Sequence, residues 1–365
     1  MAGLYIIIVA IFAGVLSWLL IGRTRTALLR HQLLDRPNER SSHTQATPRG
    51  AGVGLLIVLL PAWLVLAFLV PPQNGAGEIT QWLVPAGVLI LAAVSFVDDL
   101  RGLSQVVRLL LQAIVVIAAV QSLSGPVFQG LLGPIFDTVL AIVIWLWFLN
   151  LFNFMDGIDG IAGVETIAIG IGIYAIGAAF LPLAASYGQG LAIAAAMTGF
   201  LVWNWHPARI FLGDVGSIPL GFLLGWLLLD LAASGLWQAA LILPLYYLAD
   251  ASLTLLRRLL RGAVVWQAHR EHCYQIAVQR GRSHAAVAGA VALANAILVG
   301  LAFVAASPSG PPVVPWLMLV AAAIVVVLLM VWMVYGGQKP AAGISAVETN
   351  SAPPVTHKNS DRSTE

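Results

Sequence analysis

Charged residues and cysteines are scarce in this chain of 365 residues. Asp, Glu, Lys and Arg together make up only 9% of it, whereas hydrophobic types make up 60% and the mean hydropathy is +0.92. A soluble domain has about 25% charged residues, so this composition excludes an ordinary soluble protein and predicts a polytopic membrane protein. The single cysteine, Cys273, cannot form an internal disulfide, which argues against thiol redox chemistry.

Long polar stretches are also missing before the C-terminal tail, which excludes a second, soluble domain. We expect one membrane-embedded domain over residues 1–335 and a disordered cytoplasmic tail over residues 336–365. Hydropathy predicts an all-α fold with about eleven transmembrane helices. The predicted spans lie at about 3–22, 51–70, 81–97, 104–121, 132–149, 163–181, 188–205, 217–233, 236–256, 284–306 and 313–335.

The basic residues predict the orientation of these spans. No Lys or Arg precedes the first span, whereas Arg23, Arg25 and Arg30 follow it, which is the opposite of the charge bias of a signal peptide. With the N-terminus outside, all 18 lysines and arginines fall in segments on the cytoplasmic side or at the helix ends beside them. The loops assigned to the outside contain none, so we expect a multi-pass protein with a cytoplasmic C-terminus.

Most polar clusters lie at the cytoplasmic ends of the predicted spans. A carboxylate at the middle of a bilayer costs about 2.5–3.5 kcal/mol, and transporters accept this cost to build a site at the midplane. Clusters at one interface therefore favour a surface-facing active site over an alternating-access pathway. Asp250, about two turns inside the ninth span, is an exception, and we expect it to pair with Arg257.

Asp98 and Asp99 are adjacent carboxylates at the end of the third span, in "SFVDDLRG". Two carboxylates about 6 Å apart repel by about 3 kcal/mol at an effective dielectric constant near 20. They therefore require a shared proton or a cation, which Arg101 or a Mg²⁺ ion held by carboxylates and substrate phosphates can provide. The alternative is a helix end that is merely polar.

The segment "NLFNFMDGIDGIAG" follows the fifth span and concentrates polar residues between glycines. Asn150 and Asn153 are neighbours on one helix face, and the glycines that follow favour a turn. We expect these two side chains to converge with Asp156 and Asp159 on one point. A simple capping loop, which is the alternative, needs one such residue rather than four.

The remaining loops contain weaker signals. Asp214 in "GDVGS" stands just before a predicted helix, where N–H groups suit phosphate oxygens, but short turns of this kind are common. We interpret His206 as an interfacial residue rather than a ligand. The first and last cytoplasmic loops also contain basic residues and histidines. No further Cys or His pair in the sequence would complete a zinc site with these histidines, so we prefer contact with phosphate or sugar over metal binding as their role. These residues are Arg36, Arg40, His43, Arg49, His269 and His272.

Acids that can hold Mg²⁺, together with arginines and helix N-termini, predict a site for polyanions at the membrane surface. Phosphoryl transfer requires little more than positioning and charge neutralisation. Because the site is embedded in the membrane, we expect one substrate to be a lipid.

Five motifs in order resemble a known family. They are "DRPNERSSHTQATPRGAG", "VDDLRGL", "NLFNFMDGIDGIAG", "FLGDVGS" and "HREH", between residues 30 and 285. The chain resembles the bacterial UDP-N-acetylhexosamine:polyprenyl-phosphate N-acetylhexosamine-1-phosphate transferases of glycosyltransferase family 4. The superfamily also contains the phospho-N-acetylmuramoyl-pentapeptide transferase of peptidoglycan synthesis.

The resemblance implies that undecaprenyl phosphate attacks the β-phosphate of a UDP-N-acetylhexosamine, with release of UMP. It implies a Mg²⁺ cofactor, or Mn²⁺ in its place, and an active site that faces the cytoplasm from the bacterial inner membrane. Catalysis is implied for Asp98, Asp99 and Asp214, and metal binding for Asp214 and Asp159. Substrate binding is implied for Asn150, Asn153, Asp156, Asp159, Phe211, His272, His43, Arg49 and Arg40, with Phe211 stacked on the base.

One motif differs from the family pattern. The peptidoglycan branch has three consecutive histidines in the last loop, where this chain has "HCYQ". This difference favours the branch that initiates O-antigen synthesis, with UDP-GlcNAc or a 6-deoxy sugar such as UDP-FucNAc or UDP-QuiNAc as substrate. The pentapeptide transferase and a transporter or flippase of an anionic lipid-linked sugar are the alternatives. We expect no nucleic-acid partner, and a homodimer is compatible with the sequence.

Overall fold

The computed structural model describes residues 2–35, 37, 45–70, 80–264 and 269–336. Its α-helices are α1 (Ala2–Arg30), α2 (Ala51–Leu69), α3 (Thr80–Arg101), α4 (Gln105–Ala119), α5 (Pro134–Met155), α6 (Ile161–Phe180), α7 (Ala185–Asn204), α8 (Asp214–Leu231), α9 (Trp237–Ile242), α10 (Leu245–Leu260), α11 (Cys273–Gln279), α12 (His284–Ala306) and α13 (Val314–Tyr335). Two short antiparallel strands, β1 (Leu34–Asp35) and β2 (Thr47–Pro48), flank the first loop.

The all-α polytopic membrane fold is confirmed. Within the described ranges, ten helical stretches are long and apolar enough to cross a membrane. Their outer faces expose large apolar side chains, such as Phe12 at 69% and Ile135 at 77% exposure, which a soluble protein would bury. The predicted tail, residues 336–365, lies outside the described part of the chain except for Gly336.

The ninth predicted span, 236–256, differs from a single helix. A π-helical turn over Ala232–Leu236 follows α8, and Gly235 within it has a φ of 89°, which breaks the α-helix. The chain then forms the short α9 and breaks again before α10, where Pro244 takes the N-cap position. Helix α9 belongs to the long stretch Asp214–Ile242 that begins with α8, whereas α10 is not among the ten, so the predicted span 236–256 is divided between two helical stretches.

Helix α8 lies at the centre of the fold and packs against α2, α3, α5, α6 and α7. Gly225 lets α5 approach closely, because a Cβ there would lie 2.6 Å from the Trp145 ring. Trp145 stacks on Phe222 with ring centroids 4.7 Å apart, and its indole N–H donates to the Phe222 carbonyl at 2.9 Å. This packing places the end of α5 beside the start of α8.

The loop before α2 is attached to the loop before α8. The Phe211 N–H donates to the Pro48 carbonyl at 2.8 Å, and the Gly50 N–H donates to the Phe211 carbonyl at 3.0 Å. These bonds hold Arg49 next to the N-terminus of α8. Arg36, Arg40 and His43, which the sequence analysis named in this loop, lie outside the described residues.

Candidate active site

A cleft of about 840 Å³ opens between the ends of α3, α5 and α8, with α4, α10 and α11 along its sides. Its polar wall contains Asp98, Gln105, Arg108, Gln112, Asn150, Asn153, Asp214, His269, His272 and Gln275. Its apolar wall runs along α3, α4, α5, α8 and α10 and contains Leu91, Val94, Leu109, Val143, Leu146, Trp147, Ile218 and Leu255 among its members. The cleft thus joins a polar mouth to an apolar groove.

Asp98 has both carboxylate oxygens engaged. Oδ1 accepts a hydrogen bond from the Leu103 N–H at 2.7 Å, and Oδ2 accepts one from the Arg108 guanidinium at 2.8 Å. The partner of Asp98 is therefore Arg108 on α4 and not Arg101, which the sequence analysis proposed. Sequence alone could not find it, because the turn between α3 and α4 brings Arg108 back onto the end of α3.

Asp214 and Arg49 form the centre of the polar mouth. The Arg49 guanidinium donates to Asp214 Oδ1 at 2.7 Å, and the Asn153 side-chain amide donates to the same oxygen at 3.2 Å. Asn153 also donates to the Ser217 hydroxyl at 2.7 Å. Burial opposes the charge of Arg49, but the carboxylates of Asp214, Asp99 and Asp35 outweigh it and raise the pKa of the guanidinium.

Of the four polar residues expected to converge on one point, Asn150 and Asn153 line the same cleft. Asn153 contacts Asp214, and the side-chain amide of Asn150 donates to Gln112 Oε1 at 2.9 Å. Asp156 follows the end of α5. Burial is the main cause that raises the pKa of Asp156 to about 7. The charge of Arg49 lowers this pKa, and the charges of Asp214 and Asp159 raise it further.

Asp159 contacts a different set of residues. Its Oδ2 lies 2.6 Å from His206 Nδ1 and accepts from the Ala208 N–H at 3.1 Å, and its Oδ1 lies 3.3 Å from His284 Nδ1. Burial alone would raise the pKa of Asp159, but the contacts with His284, His206 and the Ala208 N–H outweigh burial and lower it. The hydrogen-bond partners of the Asp159 carboxylate are therefore different from those of Asp214.

The sequence analysis did not identify the two histidines that contact Asp159. His206 was interpreted as interfacial, whereas it contacts a specific carboxylate. His284 received no assignment, because it begins α12 and lies 125 residues from Asp159. Only the proximity of His206 to the "FLGD" motif offered a signal in the sequence.

His272 occupies the N-cap of α11 and lines the cleft, although its side chain is buried. Asp250 is the residue that positions this helix. Its carboxylate accepts from the Cys273 N–H at 2.9 Å, the Thr254 hydroxyl at 3.2 Å and the Tyr246 hydroxyl at 3.1 Å. The expected pairing of Asp250 with Arg257 is thus wrong, because the carboxylate faces the N-terminus of α11.

Tyr274 connects α11 to the end of α5. Its hydroxyl donates to the Phe154 carbonyl at 3.0 Å, and a Cβ at Gly157 would collide with that hydroxyl. Gly157 is therefore required by close packing, which explains one glycine of the "MDGIDG" turn.

We expect Gly157→Ala to lower the thermal stability of the purified protein, because overpacking costs about 1–3 kcal/mol. Tyr274→Phe removes the colliding oxygen and one hydrogen bond, at a cost of about 1 kcal/mol. The double variant should lose less stability than the sum of the losses in the two single variants. Thermal unfolding of the four proteins measures this coupling, and strict additivity would contradict the proposed contact.

The carboxylates at the mouth fit a divalent cation. Asp99 is exposed at the end of α3 and interacts electrostatically with Arg49 and Asp214. Asp156 interacts with Arg49 and Asp214 as well. Asp98 is paired with Arg108, so three further carboxylates, those of Asp99, Asp156 and Asp214, surround Arg49. Burial and the neighbouring carboxylates raise the pKa of Asp99 and Asp156, and a Mg²⁺ ion, which prefers oxygen ligands, would stabilise their ionised forms.

The chain is similar in sequence to known transferases. The glycosyl transferase family 4 profile matches residues 81–232. The chain is 32% identical to the phospho-N-acetylmuramoyl-pentapeptide-transferase of Synechococcus sp. (strain RCC307), over 63% of this chain and 68% of that protein. It is 26% identical to the undecaprenyl-phosphate alpha-N-acetylglucosaminyl 1-phosphate transferase of Salmonella typhimurium, over 81% and 82% of the two chains. It is 30% identical to the decaprenyl-phosphate N-acetylglucosaminephosphotransferase of Mycolicibacterium smegmatis, over 60% of this chain and 58% of that relative.

Proposed function

The chain belongs to glycosyl transferase family 4, and from this premise we propose that it transfers an N-acetylhexosamine 1-phosphate from a UDP-sugar to undecaprenyl phosphate. In the reaction an oxygen of the lipid phosphate forms a bond to the β-phosphorus. The bond between this phosphorus and the bridging oxygen breaks, and UMP leaves with the electron pair. The observation that carries the proposal is the position of Asp98, Arg108 and Asp214 in the polar wall of a cleft that continues into an apolar groove.

The groove provides a path for a polyprenyl chain. Val143 and Leu146 on α5 continue the cleft away from Asn150 toward the middle of the span. A prenyl chain along these apolar side chains would leave its phosphate at the mouth, near Arg108 and Gln112. The Arg108 guanidinium is held by Asp98 and is half-exposed, so it can still donate to a phosphate oxygen.

The second substrate is assigned to the opposite side of the mouth. Arg49 can donate to the diphosphate, and the N-terminus of α8 presents N–H groups next to it. Asp214 would hold the Mg²⁺ ion, which when bound neutralises charge on the diphosphate and the leaving UMP. Asn153 orients the Asp214 carboxylate, and we assign Phe211 to the base, for which an aromatic face is suited.

Asp99 is the proposed general base. Its carboxylate is exposed at the mouth, whereas that of Asp98 is occupied by two hydrogen bonds. Asp99 would accept the proton of the lipid phosphate before or during attack on the β-phosphorus. Asp98 would serve by holding Arg108 in place for the phosphate.

A second candidate is the pentapeptide transferase of peptidoglycan synthesis, which the 32% identity to the Synechococcus protein favours. The last loop argues for the simpler N-acetylhexosamine. Tyr274 and Gln275 stand where the family has histidines; Tyr274 is buried in α11, whereas Gln275 lines the cleft beside His272. We therefore propose UDP-GlcNAc or a 6-deoxy UDP-N-acetylhexosamine as substrate, for initiation of O-antigen synthesis at the cytoplasmic face of the inner membrane.

The test is release of UMP by the purified full-length protein in lipid nanodiscs. We expect UMP when undecaprenyl phosphate, Mg²⁺ and one sugar of a panel are all present, and none when the lipid phosphate or the metal is omitted. The panel contains UDP-GlcNAc, UDP-FucNAc, UDP-QuiNAc and UDP-N-acetylmuramoyl-pentapeptide. Turnover with the pentapeptide alone would support the second candidate. If a folded preparation released no UMP with any sugar, the result would contradict the transferase assignment and favour the alternative of a flippase.

A further inference from the structure

We propose that Asp159, His206 and His284 form a binding site for a divalent transition-metal ion, separate from the Mg²⁺ site assigned to Asp214. One ligand atom from each of the three side chains lies within 4.8 Å of those from the other two. The residues come from three places in the chain, namely the turn before α6, the segment after α7 and the start of α12. An ion here would join these three helix ends.

The donor set selects the class of metal. Mg²⁺ prefers oxygen ligands, whereas two imidazoles with one carboxylate suit Zn²⁺, Co²⁺, Ni²⁺ or Fe²⁺. With both histidines neutral the set has one negative charge. His284 Nδ1 accepts from the Asp159 N–H at 3.4 Å and so has a lone pair, and His206 Nδ1 presents one in the tautomer that has its proton on Nε2. Three protein ligands would leave a fourth position for water or another small ligand.

The distances are close to those of a bound site. Ligands at about 2.0–2.1 Å from a tetrahedral ion are about 3.3 Å from one another. Asp159 Oδ1 is already 3.3 Å from His284 Nδ1. Asp159 Oδ2 is 2.6 Å from His206 Nδ1, so this pair would open by less than about 1 Å to admit the ion. The His206 side chain is 38% exposed and provides the route of entry and the room for this movement.

The surrounding structure supports the ligands. The side chains of Asp159 and His284 are only 7% and 8% exposed, so both are held in place by packing. The Ala208 N–H donates to the carboxylate, and the Asn204 side chain accepts from the Gly160 N–H at 2.9 Å and donates to the Ile210 carbonyl at 3.0 Å. These contacts hold the turn that contains Asp159 against the segment that contains His206, as supporting hydrogen bonds do in metal sites.

The experiment uses full-length protein in nanodiscs, stripped of metal with a chelator. Titration with Zn²⁺ should show one saturable site per chain, and Co²⁺ should give the visible absorption of a four-coordinate site with nitrogen ligands. Zn²⁺ should also raise the temperature of unfolding, since an ion that binds only the folded state stabilises it. None of these readouts depends on turnover, so failure of the site and failure of the transferase assignment are distinguishable.

Variants of the histidines test the assignment. We expect His206→Ala and His284→Gln each to weaken Zn²⁺ binding at least about 10–100-fold. His31→Ala, at an exposed histidine after α1, is the control and should bind like wild type. Because the Co²⁺ spectrum is recorded on the wild-type protein, the proposal is testable even where His284→Gln fails to fold. No saturable binding by wild type, or unchanged affinity in both histidine variants, would overturn the site and leave a hydrogen-bonded cluster only.

Discussion

An Asp214→Asn protein is expected to release UMP on the order of 10²–10³-fold more slowly than wild type, while folding normally. Asparagine keeps an Oδ1 that can accept from Arg49 and Asn153, as the aspartate does at 2.7 and 3.2 Å. The substitution therefore preserves the hydrogen bonds around the site and removes one negative charge. We propose that the lost negative charge binds the Mg²⁺ ion, which in turn would bind the diphosphate.

The matched control for this prediction is Asp230→Asn. Asp230 lies near the other end of α8, where its carboxylate accepts from the Ser124 N–H at 3.3 Å, so it is far from the cleft along the same helix. We expect turnover close to that of wild type for this control. An Asp214→Asn protein whose kcat stays within about threefold of wild type would show that Asp214 does not carry the metal, since ligand loss costs far more.

Asp99→Asn is expected to lower kcat by about 10²–10⁴-fold, the usual contribution of a general base. The neighbouring Asp98→Asn should act differently, because the Asp98 carboxylate contacts the Leu103 N–H and the Arg108 guanidinium. Loss of its charge would loosen Arg108, so we expect a higher KM for undecaprenyl phosphate and a lower stability, with a smaller change in kcat. The adjacent pair thus separates proton transfer from positioning of the lipid phosphate.

Steady-state kinetics with varied lipid phosphate, together with thermal unfolding in the same nanodiscs, measures both effects. Asp99→Glu serves as a conservative variant and should recover part of the lost turnover, since a carboxylate remains at the mouth. An Asp99→Asn protein that loses only lipid affinity, or an Asp98→Asn protein with the larger loss of kcat, would reverse the two roles.

Much of the topology was predictable from local features of the chain. Spans are visible because the hydrocarbon core requires about 20 apolar residues, whatever their tertiary neighbours are. The divided ninth span was missed, although Gly235 and Pro244 mark its breaks, because hydropathy measures polarity and not backbone conformation. Orientation from the arginines stays a prediction.

The sequence predicted which kinds of residue form the site better than it predicted which of them contact each other. The motifs placed Asn153 and Asp214 at the ends of two spans, and antiparallel packing of α5 and α8 brings them within hydrogen-bond distance. The roles assigned to the individual site residues remain predictions.

The amino-acid sequence by itself determined that the chain forms apolar helices and that carboxylates, asparagines and arginines gather at their ends. These properties follow from composition along short segments, which sequence displays directly. Only the tertiary structure decided which polar group each carboxylate meets. Asp159 faces His206 and His284, Asp98 faces Arg108, and Asp250 faces the N-terminus of α11. A buried carboxylate must find partners wherever the packing of helices places them, and His284, which contacts the Asp159 carboxylate, is 125 residues away in the chain.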